Sequence, residues 1–311
     1  MLDKKHENMM IQVVGHSNPD SDSICSALAA AEWLKVSRGE EAVAVSQGEI
    51  TGETAFILNE AGVEAPVLCE NVEDQKVWLV DFTDLGQGPE GLDKADIMGV
   101  IDHHRLGDLT TVNPLEMWIW PVGCSSTILF NLFRMENVKI ERSVAVLMLG
   151  AIISDTVAFR SPTCTDKDRE AAQQLAEEAG ISLYDFADRL LRAKTNLDGL
   201  TIESLVDRDL KQYAINGANV VVGQVEIASF EQVEDKIEAL DAELQARCEQ
   251  KGFKLASLML TDITTSTTRL LVKGEWAEKL KSDSDDRWVQ MEDTLSRKKQ
   301  AWPWMQKVLA A

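Results

Sequence analysis

Short apolar runs alternate with longer Ala- and Leu-rich segments through the first third of the chain. Ile11 to Gly15 (IQVVG) stops at His16, and from Asp22 the stretch SICSALAAAEWLKV has helical spacing, so the order is strand, tight polar turn, helix. The alternation repeats. AVAVS at 42 to 46 reads as a strand, Thr51 to Ala61 as a helix, VWLV at 77 to 80 as a buried strand ending at Asp81, and IMGVI at 97 to 101 as another ending at Asp102. Strands that are apolar along their whole length are covered on both faces, and strands alternating with helices pair in parallel. The pattern predicts an α/β fold whose N-terminal part is a doubly wound parallel sheet.

Helices then dominate, over Ser125 to Met135, Val144 to Ile153, Asp166 to Ala179 and Leu183 to Ala193. After Lys194 the character changes. An Asn216-Gly217 hairpin signal lies within Tyr213 to Ile227, Phe230 to Gln250 reads as an acidic amphipathic helix, and LASLML at 255 to 260 and TTRLLVK at 267 to 273 read as strands. This predicts a smaller, mixed α/β second domain, with a linker near Thr195 to Gly199 separating residues 1–195 from 196–311.

A chain of 311 residues, 45% of them hydrophobic, has enough material for two domains with cores of their own. Its five cysteines are odd in number and far apart, which fits neither a disulfide framework nor a thiolate zinc site. Met1 to Met10, with His6, has no apolar run of signal-peptide length, and no later segment is long and apolar enough for a membrane span, so the expected location is the cytoplasm. The net charge of −21 argues against nucleic acid and anionic membranes as partners. The surplus is uneven, however: 16 basic and 32 acidic residues lie in 1–195, against 15 and 20 in the remainder.

Three of the four histidines lie in short stretches that also hold Asp. GHSNPDSDS carries His16, Asp20 and Asp22 in the turn after the first strand, VIDHH carries Asp102, His103 and His104 at another strand end, and Asp81 ends the strand between them. Ligands of open parallel sheets bind at the carboxyl ends of strands, where these groups are expected to lie, close enough to share one pocket. An Asp in such a turn is ordinarily a helix N-cap, but three strand ends holding nearly all the histidine is a different matter. Imidazole with several carboxylates suits Mn²⁺, Co²⁺ or Mg²⁺, with Zn²⁺ also compatible, and more carboxylates than one ion needs suggest two. Two adjacent metals activate water and clamp both oxygens of a phosphoryl transfer, so hydrolysis of a phosphoanhydride or phosphoester is the expected chemistry. Asp155, at the end of an apolar helical stretch, is either a paired structural group or a further ligand. The last 16 residues hold Arg297, Lys298, Lys299 and Lys307 and no acid. With Lys211, Arg297 and Lys298 make a candidate phosphate clamp, carried by a second domain folding over the first.

GHSNPDSDS, Asp81, VIDHH, SDTVAFRSPTCTD and the terminal SRKKQ, in that order, resemble the family II, manganese-dependent inorganic pyrophosphatases of the DHH phosphoesterase superfamily, across nearly the whole chain. The resemblance implies a DHH domain followed by a DHHA2 substrate-binding domain and hydrolysis of pyrophosphate to two phosphates. It further implies one metal on His16, Asp20 and Asp81 and another on Asp22, His103 and Asp155, with Asp81 bridging. Asp102 would orient ligands, and His104, Lys211, Arg297 and Lys298 would contact substrate. The nucleophile would be a hydroxide bridging two Mn²⁺ (or Co²⁺) ions, a further Mg²⁺ would arrive with pyrophosphate, and the protein would be a homodimer through its first domain. Many family members read DHNE where this chain has Asp81-Phe82-Thr83-Asp84, and the inserted nucleotide-binding module of some members has no room here. The alternative is a DHH phosphoesterase acting on polyphosphate, short oligonucleotides or cyclic dinucleotides. Nuclease-like members carry a GGH motif in a DHHA1 domain, and no histidine here follows a Gly pair.

Overall fold

The computed structural model describes residues 10–281 and 287–310; His6 and the rest of the charged opening stretch lie outside the described residues. Two compact units are present, one reaching Lys194 and the other beginning at Thr195.

The first unit is built on six parallel strands, β1 (Ile11–Val14), β2 (Ala42–Ser46), β3 (Val67–Leu68), β4 (Lys76–Val80), β5 (Asp96–Asp102) and β6 (Glu116–Ile119), in the order β3-β2-β1-β4-β5-β6. All five pairings are parallel, as the apolar runs predict. The helices are α1 (Ser21–Arg38), α2 (Gly52–Ala61), α3 (Ser125–Met135), α4 (Arg142–Asp155), α5 (Asp166–Ala179) and α6 (Leu183–Lys194). α4 is buried from Val144 to Ser154, which explains why its sequence is apolar all round rather than along one stripe. One sheet face packs on the helices, through Val13, Trp78, Val80 and Ile101. On the other, Val14, Val45, Leu79 and Val100 meet Phe82 and Leu92. There the crossover from β4 to β5 is irregular chain with two 3₁₀ turns, Leu85–Gln87 and Leu92–Lys94, rather than a helix. The strand order reverses between β1 and β4, and Gly15, just past β1, lets that turn approach α1: a Cβ there would lie 2.7 Å from the Ser23 carbonyl oxygen.

The second unit has a short helix, α7 (Ile202–Asp207), and five strands, β7 (Lys211–Ile215), β8 (Ala218–Ile227), β9 (Leu255–Asp262), β10 (Thr267–Lys273) and β11 (Trp288–Met291), in the order β11-β10-β9-β8-β7. Only β8 and β9 pair in parallel. Asn216 and Gly217, with φ of 48° and 79°, close the β7–β8 hairpin in the left-handed region that the Asn-Gly signal predicts. β9 is buried along its whole length, because α8 (Ile237–Lys251) covers one face and α9 (Trp302–Ala310) the other. The acidic helix expected from Phe230 begins only at Ile237. Ser229 and Gln232 form a capping box around a 3₁₀ turn, and Val233 (φ −121°, ψ −1°) breaks the path before the helix starts.

Candidate metal centre

Each predicted ligand in the first unit is positioned by a strand end or a helix end. Asp20 N-caps α1, its Oδ1 accepting from the Ser23 N–H at 3.0 Å, while its Oδ2 lies 3.6 Å from His16 Nε2. The oxygen that caps the helix is thus not the one that faces His16. Asp22, in the first turn of α1, is fully buried; its Oδ2 accepts from the Ser125 N–H at 2.7 Å and its Oδ1 from the Ser26 hydroxyl. Both acids sit at the positive end of a helix. Asp155 is the last residue of α4, at the negative end of that helix dipole, a place where a carboxylate needs a cation.

Asp81 directly follows β4, 2% exposed and with φ of 69°, a left-handed conformation unusual for a residue with a side chain. The kink leaves its two oxygens facing different imidazoles. Oδ2 lies 3.3 Å from His16 Nε2, and Oδ1 lies 3.2 Å from His103 Nε2. His103 Nε2 is also 3.8 Å from Asp22 Oδ2 and 3.6 Å from Asp155 Oδ2. Two of the groups with metal-holding geometry are therefore His16, Asp20 and Asp81, and Asp22, Asp81, His103 and Asp155. Both ring Nδ1 atoms are committed elsewhere, that of His16 to the Ser17 carbonyl at 2.9 Å and that of His103 to the Val122 carbonyl at 3.1 Å. Donation from Nδ1–H leaves each Nε2 as a lone-pair ligand.

His104 meets the same oxygen of Asp81 from 3.5 Å, completing a third group with His103. Its Nδ1 and backbone N–H both contact Asp102 Oδ1 at 3.0 Å. Asp102, fully buried, thus fixes a ring whose side chain is 55% exposed.

The electrostatics point to missing positive charge. Burial presses the His16 imidazole down, yet Asp20 and Asp81 outweigh it and raise its pKa to about 11. His103 behaves alike: burial opposes, Asp81 and Asp22 prevail, and its pKa is about 9. Burial, then Asp81, pushes Asp22 up to about 6, and burial, then Asp22, drives Asp155 well above the carboxylate range. Asp81 moves the other way, since the imidazoles of His103 and His16 overcome its burial. Asp81 Oδ2 and His103 Nε2 are buried without a hydrogen-bond partner, which a native site seldom tolerates unless an ion supplies the contact. The donor set of imidazole nitrogens and carboxylate oxygens fits Mn²⁺ or Co²⁺.

Several supports carry no recognisable signal in the sequence. Asp168, fully buried, accepts from the Gly123 N–H and the Thr127 and Thr165 hydroxyls, fixing the segment that supplies the Val122 carbonyl and the Ser125 N–H. The Phe82-Thr83-Asp84 loop is tied to the His104 turn: Thr83 Oγ1 accepts from the Gly107 N–H at 2.8 Å, and Asp84 faces Arg105 at 3.7 Å. A Cβ on Gly107 would come within 2.5 Å of the Thr83 carbonyl oxygen.

In the second unit, Lys211 opens β7 and is exposed, as is Lys298, in a π-helical turn over Arg297–Ala301. Arg297 is 8% exposed, its fork held by Asp209, with Nη1 2.7 Å from Oδ2 and Nη2 3.1 Å from Oδ1. Its Nε is buried without a partner. The acid of the Asp209-to-Lys211 stretch is thus the Arg297 counterion.

Residues 10–152 match the DHH family, N-terminal domain, and residues 188–308 match the DHHA2 domain. The manganese-dependent inorganic pyrophosphatase of Bacillus subtilis (strain 168) is 36% identical, over 94% of this chain and 96% of its own length. The protein of the same description from Methanothrix thermoacetophila is 34% identical over the same shares. A crystal structure of a Methanococcus jannaschii protein described as a family II inorganic pyrophosphatase superposes with a TM-score of 0.73 at 35% identity, covering 97% of this chain and 100% of that one. An exopolyphosphatase-related protein from Bacteroides fragilis, 14% identical with a TM-score of 0.52, shares the fold. Fold and family models define a member of the DHH family with a DHHA2 second unit. Within that class, the chain belongs to the manganese-dependent, family II inorganic pyrophosphatases.

Proposed function

We propose that the protein hydrolyses inorganic pyrophosphate to two phosphates with two Mn²⁺ ions per subunit, one on His16, Asp20 and Asp81 and one on Asp22, Asp81, His103 and Asp155. The observation that carries this reading is Asp81, whose two oxygens face separate imidazoles at 3.3 and 3.2 Å. Mn²⁺, or Co²⁺ in its place, bound there supplies the Lewis acidity that activates a water near neutral pH and neutralises phosphate charge, with Mg²⁺ accompanying the substrate. The chain's own residues do the rest. Asp102 holds the His104 ring toward its exposed side, where Nε2 contacts a phosphate oxygen. Lys211 and Lys298 bring mobile cations to the phosphates, and Arg297, held in place by Asp209, adds a fixed planar one beside them. Closure of the second unit over the substrate excludes water and strengthens each of these contacts. The expected partner is a second copy of the chain, joined through the first unit, in the cytoplasm. No helix among the described residues is long and apolar enough to cross a membrane.

The test is phosphate release from pyrophosphate, long-chain polyphosphate and a dinucleotide, side by side, with Mn²⁺ and after chelation. Pyrophosphate is expected to be the preferred substrate, with loss of activity on chelation and recovery on adding Mn²⁺. Preference for the dinucleotide would overturn the substrate, and activity that survives chelation would overturn the metal mechanism.

A further inference from the structure

Behind the metal ligands lies a buried carboxylate that nothing above uses. Glu53, in the first turn of α2, is 6% exposed. Its Oε1 accepts from the Ser21 hydroxyl at 2.9 Å and from the Ser154 hydroxyl at 2.7 Å. Ser21 stands between Asp20 and Asp22, and Ser154 immediately precedes Asp155. A single oxygen therefore joins the segment that feeds both metal groups to the helix end that feeds one of them. Thr54 Oγ1 lies 3.0 Å from Ser21 Oγ and 3.0 Å from Thr51 Oγ1, which extends the network to the N-cap of α2. On the far side, Lys194 Nζ is 3.6 Å from Glu53 Oε2 and 3.5 Å from Ser154 Oγ. Lys194 is the last residue of α6 and of the first unit.

Burying a carboxylate costs several kcal/mol by order of magnitude, and apolar groups of the same volume would fill such a space at least as well. Its retention is explained if fixed geometry is what it provides. Glu53 Oε1 carries the hydrogen bonds of this network, while Oε2, among the described residues, has only the charge of Lys194 beside it, and buried hydrogen bonds of this kind hold their members in one arrangement. Here the members are the neighbours of Asp20, Asp22 and Asp155, at the ends of the packed helices α1 and α4.

From this geometry we infer that Glu53 is a positioning residue of the metal centre, bracing Ser21 against Ser154 so that Asp20, Asp22 and Asp155 keep their ligand spacing, with Lys194 as its counterion. The inference rests on the two-metal reading above. It also makes the residue at which the chain leaves the first unit part of the brace.

The experiment is calorimetric Mn²⁺ titration of the full chain as wild type, Glu53→Ala, Ser154→Ala and the double variant, with the KM for pyrophosphate measured at saturating Mn²⁺. Glu53→Ala is expected to weaken Mn²⁺ binding by about 10-fold, the lower end of what loss of a group bonded directly to a metal ligand does, since Glu53 acts through the ligands' neighbours. Ser154→Ala removes the hydrogen bond to Glu53 and the longer contact with Lys194 without adding volume or charge, and is expected to weaken it about 3- to 10-fold. The double variant should be no weaker than Glu53→Ala, because both changes remove one brace. KM should stay within about twofold, since no substrate contact changes. Wild-type Mn²⁺ affinity in Ser154→Ala, or losses that simply add, would overturn the brace, and Ser154→Ala decides alone if Glu53→Ala does not fold. A wild-type protein that takes up Mn²⁺ other than two per chain, or leaves pyrophosphate intact, would overturn the metal reading instead.

Discussion

At Asp81 one side chain does two jobs because its backbone is bent into the left-handed region, which turns both carboxylate oxygens toward imidazoles. With no ion bound, protons take the place of the cation: His16 holds one up to about 11 and His103 up to about 9. Mn²⁺ needs both rings neutral, so metal and protons compete. Because both pKa values lie above 7 and Asp155 is pushed up as well, loading at pH 7 should release at least two protons per chain, and Mn²⁺ affinity should rise between pH 6 and pH 8. Calorimetry in buffers of different ionisation enthalpy counts the protons. An affinity independent of pH would show that these imidazoles are not ligands.

Among the elements, α4 shows what periodicity conveys and what it omits. Its unbroken apolar run announces a helix buried all round, and Asp155 at its end stands out as polar where nothing polar is expected. Gly150 within it is less legible, because the reason for it belongs to another helix. A Cβ there would meet three atoms of the Ile57 side chain of α2 between 2.6 and 2.8 Å away. Gly150→Ala should therefore destabilise the protein by about 1–3 kcal/mol despite the better helix propensity of alanine. Urea unfolding of the metal-free protein measures this, and a stabilised variant would show that α2 yields. The same distinction separates the ligands from their supports. His16, Asp81, His103 and His104 are legible because they end apolar runs in a chain with four histidines. Asp168, Thr83 and Glu53 look like ordinary polar residues of turns and helices, and only their distant partners, such as Ser154 for Glu53, reveal them. The helix start at Ile237 was hidden for a related reason, since the capping side chain of Gln232 serves a turn rather than the helix.

For the molecule as a whole, a net charge of −21 correctly signals a chain rich in carboxylates, yet the local arrangement inverts its meaning. Buried acids of the first unit create a demand for cations, while the second unit carries exposed Lys211 and Lys298 and a buried Arg297. Arg297 is not free to wander, because Asp209 occupies its fork. Asp209→Ala should therefore raise the KM for pyrophosphate by about 10-fold or more, as Arg297→Ala should, while the Mn²⁺ content measured by atomic absorption stays that of the wild type. Loss of metal in either variant would show that the pair supports the first unit's site instead.

The parallel order β3-β2-β1-β4-β5-β6 has a kinetic consequence. His16 and Asp155 are separated by most of the first unit's length, and Asp81 reaches His16 only after β4 has crossed to lie beside β1. No short stretch of the chain holds a complete site, so the unfolded polypeptide offers Mn²⁺ little to bind. Such non-local pairing forms slowly, and a site assembled from it is expected to take up its ion after the rate-limiting step rather than to seed it. Added Mn²⁺ is then expected to act as a latch, leaving the folding rate unchanged and slowing unfolding in proportion to how far its concentration exceeds its dissociation constant.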